Sequence, residues 1–292
     1  NIESIEVDYL AIGEGATTKG GVIRIKTKKE KEGGYSGYIG LKAGAMASYG
    51  YNSSSPTFVF DASVGKWTFN YYAVNQHQRL IEDATYNYLY DSGLKTYTVS
   101  ETRSWANNFG NRLNISYEIN NRSTLAISEY VCNVNIKNRQ NSFVETVLGD
   151  DQDAQESNTL IHGPESQFVQ QTVAKYLLAT DDKGSSLEVT ADYYHQNHHL
   201  TQIEENDDVL TYEKSTYEKT NMFQFYPKYT HKFNGGKELV AGADYQFIGY
   251  NDETDGLRNN ADANSASAYA NFSGVVKMVM YSAGLTLQYD RM

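Results

Sequence analysis

Residues 234–247 read Asn234-Gly235-Gly236-Lys237-Glu238-Leu239-Val240-Ala241-Gly242-Ala243-Asp244-Tyr245-Gln246-Phe247. The opening Asn-Gly-Gly reaches positive φ cheaply and predicts a tight reversal. After it, Leu239, Ala241, Ala243, Tyr245 and Phe247 alternate with Glu238, Val240, Gly242, Asp244 and Gln246. A period of two belongs to a strand with one greasy and one mostly polar face. The same alternation recurs in both directions along the chain. Trp67, Phe69, Tyr71 and Ala73 alternate with Thr68, Asn70, Tyr72 and Val74. Leu187, Val189, Ala191 and Tyr193 alternate with Glu188, Thr190, Asp192 and Tyr194. Ala283, Leu285, Leu287 and Tyr289 alternate with Ser282, Gly284, Thr286, Gln288 and Asp290. A half-buried sheet in water gives this pattern too, so alternation alone leaves soluble and membrane sheets both open.

Connection lengths discriminate further. The sequence predicts about eleven strands, near 34–46, 57–64, 67–80, 104–119, 123–136, 166–179, 185–203, 215–233, 237–250, 265–274 and 278–290. Their joints alternate between short and long. The short ones are Gly65-Lys66, Asn120-Asn121-Arg122, Thr180 to Gly184, Asn234 to Gly236, and Gly274 to Lys277. The long ones, expected to be loops, are Ala47–Pro56, Ile81–Arg103, Lys137–Glu165, Glu204–Lys214 and Asn251–Asn264. Short turns at one end and long loops at the other point to an all-β, antiparallel transmembrane β-barrel. Trp67, Tyr117, Tyr176, Tyr229 and Tyr289 lie beside predicted turns or strand ends, where aromatic girdles sit. Three places fit less well. Glu129 falls in phase with Leu125, Ile127 and Val131, facing lipid unless a bulge or a high position relieves it. Pro227 demands an edge or a bulge. The stretch 166–179 has no clear greasy face.

Composition agrees. The 292 residues include 25 Tyr but 3 Pro, a balance that favours sheet over loop. Mean hydropathy is −0.59. No apolar run approaches the ~18–20 residues of a spanning helix, whereas a spanning strand needs only ~9–11. The net charge of −11 argues against nucleic acid as a partner. The single Cys132 allows no internal disulfide. The first residues lack the basic and apolar regions of a signal peptide, so an exported protein implies a removed leader or a chain that starts partway through.

No nucleophile elbow, phosphate loop or zinc-protease helix is present, and the expectation is a protein that is not an enzyme and needs no cofactor. Residues predicted to face a lumen, among them Tyr72, Arg112, Asp192, Tyr226 and Asp244, are the candidates for lining a solute passage. His195, His198 and His199 are the metal candidates, although His195 and His199 would lie ~13 Å apart on a strand. The acidic stretches 150–156, 204–208 and 252–255 match no calcium-loop spacing and read as solvated loops.

Two N-terminal segments carry a resemblance. Ile2-Glu3-Ser4-Ile5-Glu6-Val7 and Gly20-Gly21-Val22-Ile23-Arg24-Ile25-Lys26-Thr27-Lys28 are similar to the end of the plug in TonB-dependent outer-membrane receptors. In that family an "I-E-x-I-E-V" strand leads through a Gly-rich loop to "G-G-V-I-N-I-x-T-K". Arg24 replaces the usual Asn, and residues 8–18 lack the Gly-Pro and Tyr-Gly of many members, which hints at the type common in Bacteroidetes. The resemblance implies residues 1–33 as the C-terminal part of a plug and 34–292 as the first part of a barrel. Because the family closes with 22 strands, about eleven would be half of one. It also implies active uptake of a siderophore, cobalamin, glycan or peptide across the bacterial outer membrane. The implied partners are the TonB complex, reached through an N-terminal region missing here, outer-membrane lipid and a surface lipoprotein. The alternative is a passive channel or adhesin barrel without energy coupling.

Overall fold

The computed structural model describes residues 2–8, 22–27, 33–46, 51–91, 93–148, 155–276 and 279–291. Every regular element among them is a strand. β1 (Ile2–Asp8) and β2 (Val22–Thr27) pair antiparallel as a two-stranded sheet. The rest is one eleven-stranded sheet: β3 (Gly34–Met46), β4 (Tyr51–Val64), β5 (Trp67–Leu89), β6 (Leu94–Asn120), β7 (Ser123–Leu148), β8 (Gln155–Ala179), β9 (Ser186–Asn206), β10 (Val209–Lys232), β11 (Glu238–Thr254), β12 (Leu257–Val276) and β13 (Val279–Arg291). Each strand pairs antiparallel with its neighbour in sequence, so the sheet is an up-and-down meander. The predicted strand number holds.

Consecutive antiparallel order puts Gly65-Lys66, Asn121-Arg122, residues 180–185 and residues 233–237 on one rim. These turns hold one another. The amide of Glu118 donates to Lys66 O at 2.8 Å, and the ammonium of Lys66 donates to Ile119 O at 2.8 Å. Arg122 bonds Asp182 at 2.7 Å. The amide of Lys232 donates to Ser185 Oγ at 2.9 Å.

The opposite end corrects the sequence reading. The expected long loops are mostly strand: β5 and β6 stay in register to Leu89↔Lys95, and β9 and β10 stay paired, across a register shift between Leu210 and Tyr212, to Asn206↔Val209. β11 and β12 stay paired to Thr254↔Leu257. Tight turns close them, with Asp207, Asp208 and Asp255 at φ of 50°, 63° and 50° and Gly256 at 81°. Asp tolerates that left-handed region better than most side chains. Polar and apolar residues mix on both faces of these extensions, as at Ile81, Glu82, Asp83, Tyr86 and Tyr88, so hydrophobic alternation stops while backbone pairing continues. The joints at 47–50, 149–154 and 277–278 lie outside the described residues.

The three awkward positions resolve without edges or bulges. Glu129 sits on the greasy face of a regular ladder, and the Thr172 hydroxyl and Gln170 amide of β8 donate to its carboxylate. Pro227 lies in the interior strand β10, opposite Val189. Pairing with β11 lapses between Phe225↔Tyr245 and Lys228↔Gly242 and resumes in the same register, as a missing N–H requires. Gly242 gives the Pro227 carbonyl its room: a Cβ there would come within 2.8 Å of that oxygen. The undecided strand β8 takes its phase from its neighbours, with Tyr176, Ala174 and Phe168 on the greasy side and Lys175, Gln171 and Gln167 on the other.

Candidate functional site

The faces of the sheet define the site. Register runs unbroken through Tyr35, Ala62, Phe69, Ile115, Ile127, Ala174, Ala191, Phe225, Tyr245, Ala266 and Tyr289, one residue from each strand. Every member is aromatic or aliphatic. The next row, displaced by one residue, is Ser36, Asp61, Asn70, Asn114, Ser128, Val173, Asp192, Gln224, Gln246, Ser265 and Asp290. Val173 alone departs from polarity. Adjacent residues of a strand face opposite ways, so one face is a greasy wall and the other a polar one.

Burial is inverted relative to a protein folded for water. Among the described residues no hydrophobic side chain is buried, while Ser100, Ser123, Ser185, Thr190 and Asp192 are. The greasy row stays open across the middle of the sheet, with Ile127 45 % and Phe225 40 % exposed. An apolar surface of this extent calls for another apolar phase.

Aromatic rings frame the greasy wall. Near the short-turn rim, Trp67 packs on Tyr117 at 4.5 Å, and a chain of ring contacts links Tyr229, His231, Phe233, Phe272 and Tyr281. Farther along, the Tyr71 hydroxyl donates to Asn111 at 2.8 Å and the Tyr245 hydroxyl to Asn264 at 3.1 Å. Beyond those tyrosines the outward positions turn polar, as at Asn75, His77 and Arg79 on β5 and Asn221 and Lys219 on β10. From Tyr229 to Asn221 the strand covers about 26 Å at ~3.3 Å per residue. That is close to the ~25 Å band of outer-membrane barrels. The sequence reading missed this second girdle because Tyr71 and Tyr245 lie mid-strand; the signal was a Tyr–Asn pairing across strands. Tyr289, expected at a strand end, is two residues from the end of β13 (Val279–Arg291) and shares the central greasy row.

The lumen candidates all fall on the polar face, in two groups. Tyr72 pairs with Arg112, whose guanidinium lies 5.4 Å from the centre of the Tyr130 ring. Asp192 accepts from the Gln171 amide at 2.8 Å, and Tyr226 stands opposite Thr190. Asp244 follows on β11, opposite Ser267. The metal candidates separate. His195 and His199 point to the greasy side, toward Asn221 at 2.7 Å and Ser215 at 3.1 Å. His198 points the other way, between Glu165 at 3.1 Å and Glu218 at 3.2 Å. No group of three or more His, Cys, Asp or Glu among the described residues is arranged to hold a metal ion.

No protein-family model and no curated protein sequence matches this chain. Among solved structures it is similar to the unliganded ferric citrate transporter FecA, at 12% identity and a TM-score of 0.43, over 88% of this chain and 44% of that one. It is also similar to the translocator domain of the autotransporter NalP from Neisseria meningitidis, at 12% identity and a TM-score of 0.22, over 85% and 84% of the two chains. The Pseudomonas putida toluene transporter TodX gives 10% identity and a TM-score of 0.22, over 87% and 85%. The chain spans less than half the length of FecA.

Proposed function

We propose that residues 34–292 form part of the wall of a barrel in the bacterial outer membrane, and that the intact protein takes up a scarce solute with energy delivered through TonB. The inverted burial carries this reading: the sheet turns an unbroken apolar row outward, and among the described residues it buries polar side chains and no hydrophobic one. Lipid is the solvent that such a face fits. The plug-like residues of β1 and β2 support the energy-coupled form over a passive one, with residues 1–33 as the end of the plug.

Strand direction adds a requirement. β3 and β13 both run from the short-turn rim toward the long hairpins, because ten reversals separate them. β3 pairs with β4 and β13 with β12, and the two do not pair with each other. Joined directly they would be parallel. A wholly antiparallel closure therefore takes an odd number of further strands, which we assign to the remainder of the protein. Unpaired strand edges are not tolerated in lipid. The cargo class is a siderophore, cobalamin, glycan or peptide, and the partners are the TonB complex and a surface lipoprotein capping the hairpins. Photo-crosslinking the intact protein to the periplasmic domain of TonB tests the coupling. A specific crosslink is expected. Its absence, together with steady ion conductance in planar bilayers, would make the protein a passive channel.

A further inference from the structure

The polar face of β8–β11 contains a group that the wall itself leaves unsatisfied. Asp192 is 8 % exposed and Thr190, two residues before it on the same face, 3 %. One carboxylate oxygen of Asp192, Oδ2, accepts from Gln171 Nε2 at 2.8 Å. The other, Oδ1, is buried with no hydrogen-bond partner. Lys175, opposite Thr190 on β8, is engaged elsewhere, with its ammonium 2.6 Å from Glu188 Oε1. A carboxylate oxygen withdrawn from water without a donor is strongly disfavoured, and an incoming donor relieves that penalty.

The surroundings favour a charged donor. Asp244 lies on the same face of β11, two residues before the Gln246 that faces Gln224. About 20 Å from the level of Asp192 and Gln224 toward the long hairpins, at ~3.3 Å per residue, Glu218 pairs across the sheet with Asp252. Glu165 joins them through His198. Acidic groups at two levels of one wall draw cations along it.

We infer that Asp192 is the centre of a binding site for the ammonium or guanidinium group of a cationic solute on the lumen face. This names a cargo chemistry and rests on the uptake reading. Oδ1 is covered in this structure, so the solute's N–H group donates to it as the neighbouring side chains part, while Gln171 holds Oδ2 and fixes the carboxylate. Tyr226 and Gln224 of β10 form the adjoining wall.

Isothermal titration of the intact, detergent-solubilised protein tests this with three probes of similar length: 1,5-diaminopentane, 1,5-pentanediol and glutarate. The diamine is expected to bind, the diol at least about tenfold more weakly, and glutarate not at all. Asp192→Asn keeps the shape, removes the charge and is expected to lower diamine affinity at least about tenfold, with Asp192→Glu recovering part of it. Heat-modifiable migration on gels confirms folding, and if Asp192→Asn fails to fold, the three probes on the unaltered protein still decide. Equal binding of diol and diamine, no diamine binding, or an unchanged Asp192→Asn variant would overturn the proposal and leave a bridging water as the partner of Oδ1. Titration in detergent needs no energy source, so its failure leaves the uptake reading intact. A missing TonB crosslink would leave the site intact as that of a passive channel.

Discussion

Asp207, in the turn of the β9–β10 hairpin, and Asn158 of β8 are joined by a reciprocal pair of hydrogen bonds. The Asp207 amide donates to Asn158 O at 2.8 Å, and the Asn158 amide donates to Asp207 Oδ1 at 2.8 Å. Asp255 repeats the device on Ser215, at 3.1 Å and 3.0 Å. Two of the acidic residues that looked like solvated loop surface thus clamp the ends of long hairpins to the strands beside them.

Asp207→Gly keeps the positive φ and removes the side-chain acceptor. A loss of about 1 kcal/mol of local stability is expected, as for one hydrogen bond. Hydrogen exchange at the Asn158 amide should speed up by several-fold while strands nearer the short turns keep their protection. Unchanged exchange at Asn158 would remove the clamp from the account.

The greasy and polar rows set a contrast for charge insertion. Phe225→Arg places a cation on the outward row, and Gln224→Arg places one on the inward row. Refolding titrations of the intact protein in lipid vesicles should show Phe225→Arg destabilised by ~2–4 kcal/mol and Gln224→Arg by much less. Equal losses would count against membrane embedding.

Acid should loosen the turn at residues 180–185. The Ser185 hydroxyl donates to Asp181 Oδ2 at 2.6 Å, and the Ser185 and Lys183 amides each donate to Oδ1 at 2.9 Å. These bonds, the Ser185 hydroxyl foremost, hold the Asp181 carboxyl below its ordinary value. A carboxyl depressed in the folded state stabilises above its unfolded pKa, and that contribution fades as pH falls through the folded one. The loosening therefore belongs to the range below the usual carboxylate value of ~3.9. Ser185→Ala should bring the Asp181 titration, followed by carboxyl NMR shifts, back toward that value. An Asp181 that already titrates at the ordinary value in the unaltered protein would contradict this.

Glycine substitution probes strand approach. A Cβ on Gly163 would lie 1.8 Å from the Thr201 carbonyl oxygen. Gly163→Ala must therefore part β8 from β9 locally, at a cost of ~1–3 kcal/mol for the forced backbone shift. Faster exchange at Gln202 and Ile203 is the expected readout, and unaltered protection there would show that the strands are not so close.

The sequence showed the strand count, the greasy phase of most strands and the short-turn rim, because a lipid-facing strand carries a period-two signal and tight turns carry Gly and Asn. It did not show the strand extensions beyond Leu80 on β5 or before Ser215 on β10, where the alternation vanishes. Nor did it show how Glu129 is tolerated, since its partners Thr172 and Gln170 lie more than forty residues away in sequence. The lumen candidates were legible by parity alone. That Asp192 is buried with one oxygen unpaired depends on side chains from three strands, and no local pattern encodes it.

Spin-label scanning along β10 tests the membrane wall most directly. Single cysteines are introduced at each position from 221 to 229 in the intact protein, with Cys132 replaced by Ser and the protein in lipid vesicles. Collisions with oxygen report lipid and collisions with a water-soluble nickel chelate report water. The expected result alternates with a period of two: labels at Phe223, Phe225 and Tyr229 favour oxygen, and labels at Gln224, Tyr226 and Lys228 favour the chelate. A profile without alternation, or one in which the Phe223 and Phe225 labels meet the chelate as readily as the Gln224 label, would contradict a sheet that turns its greasy face to lipid.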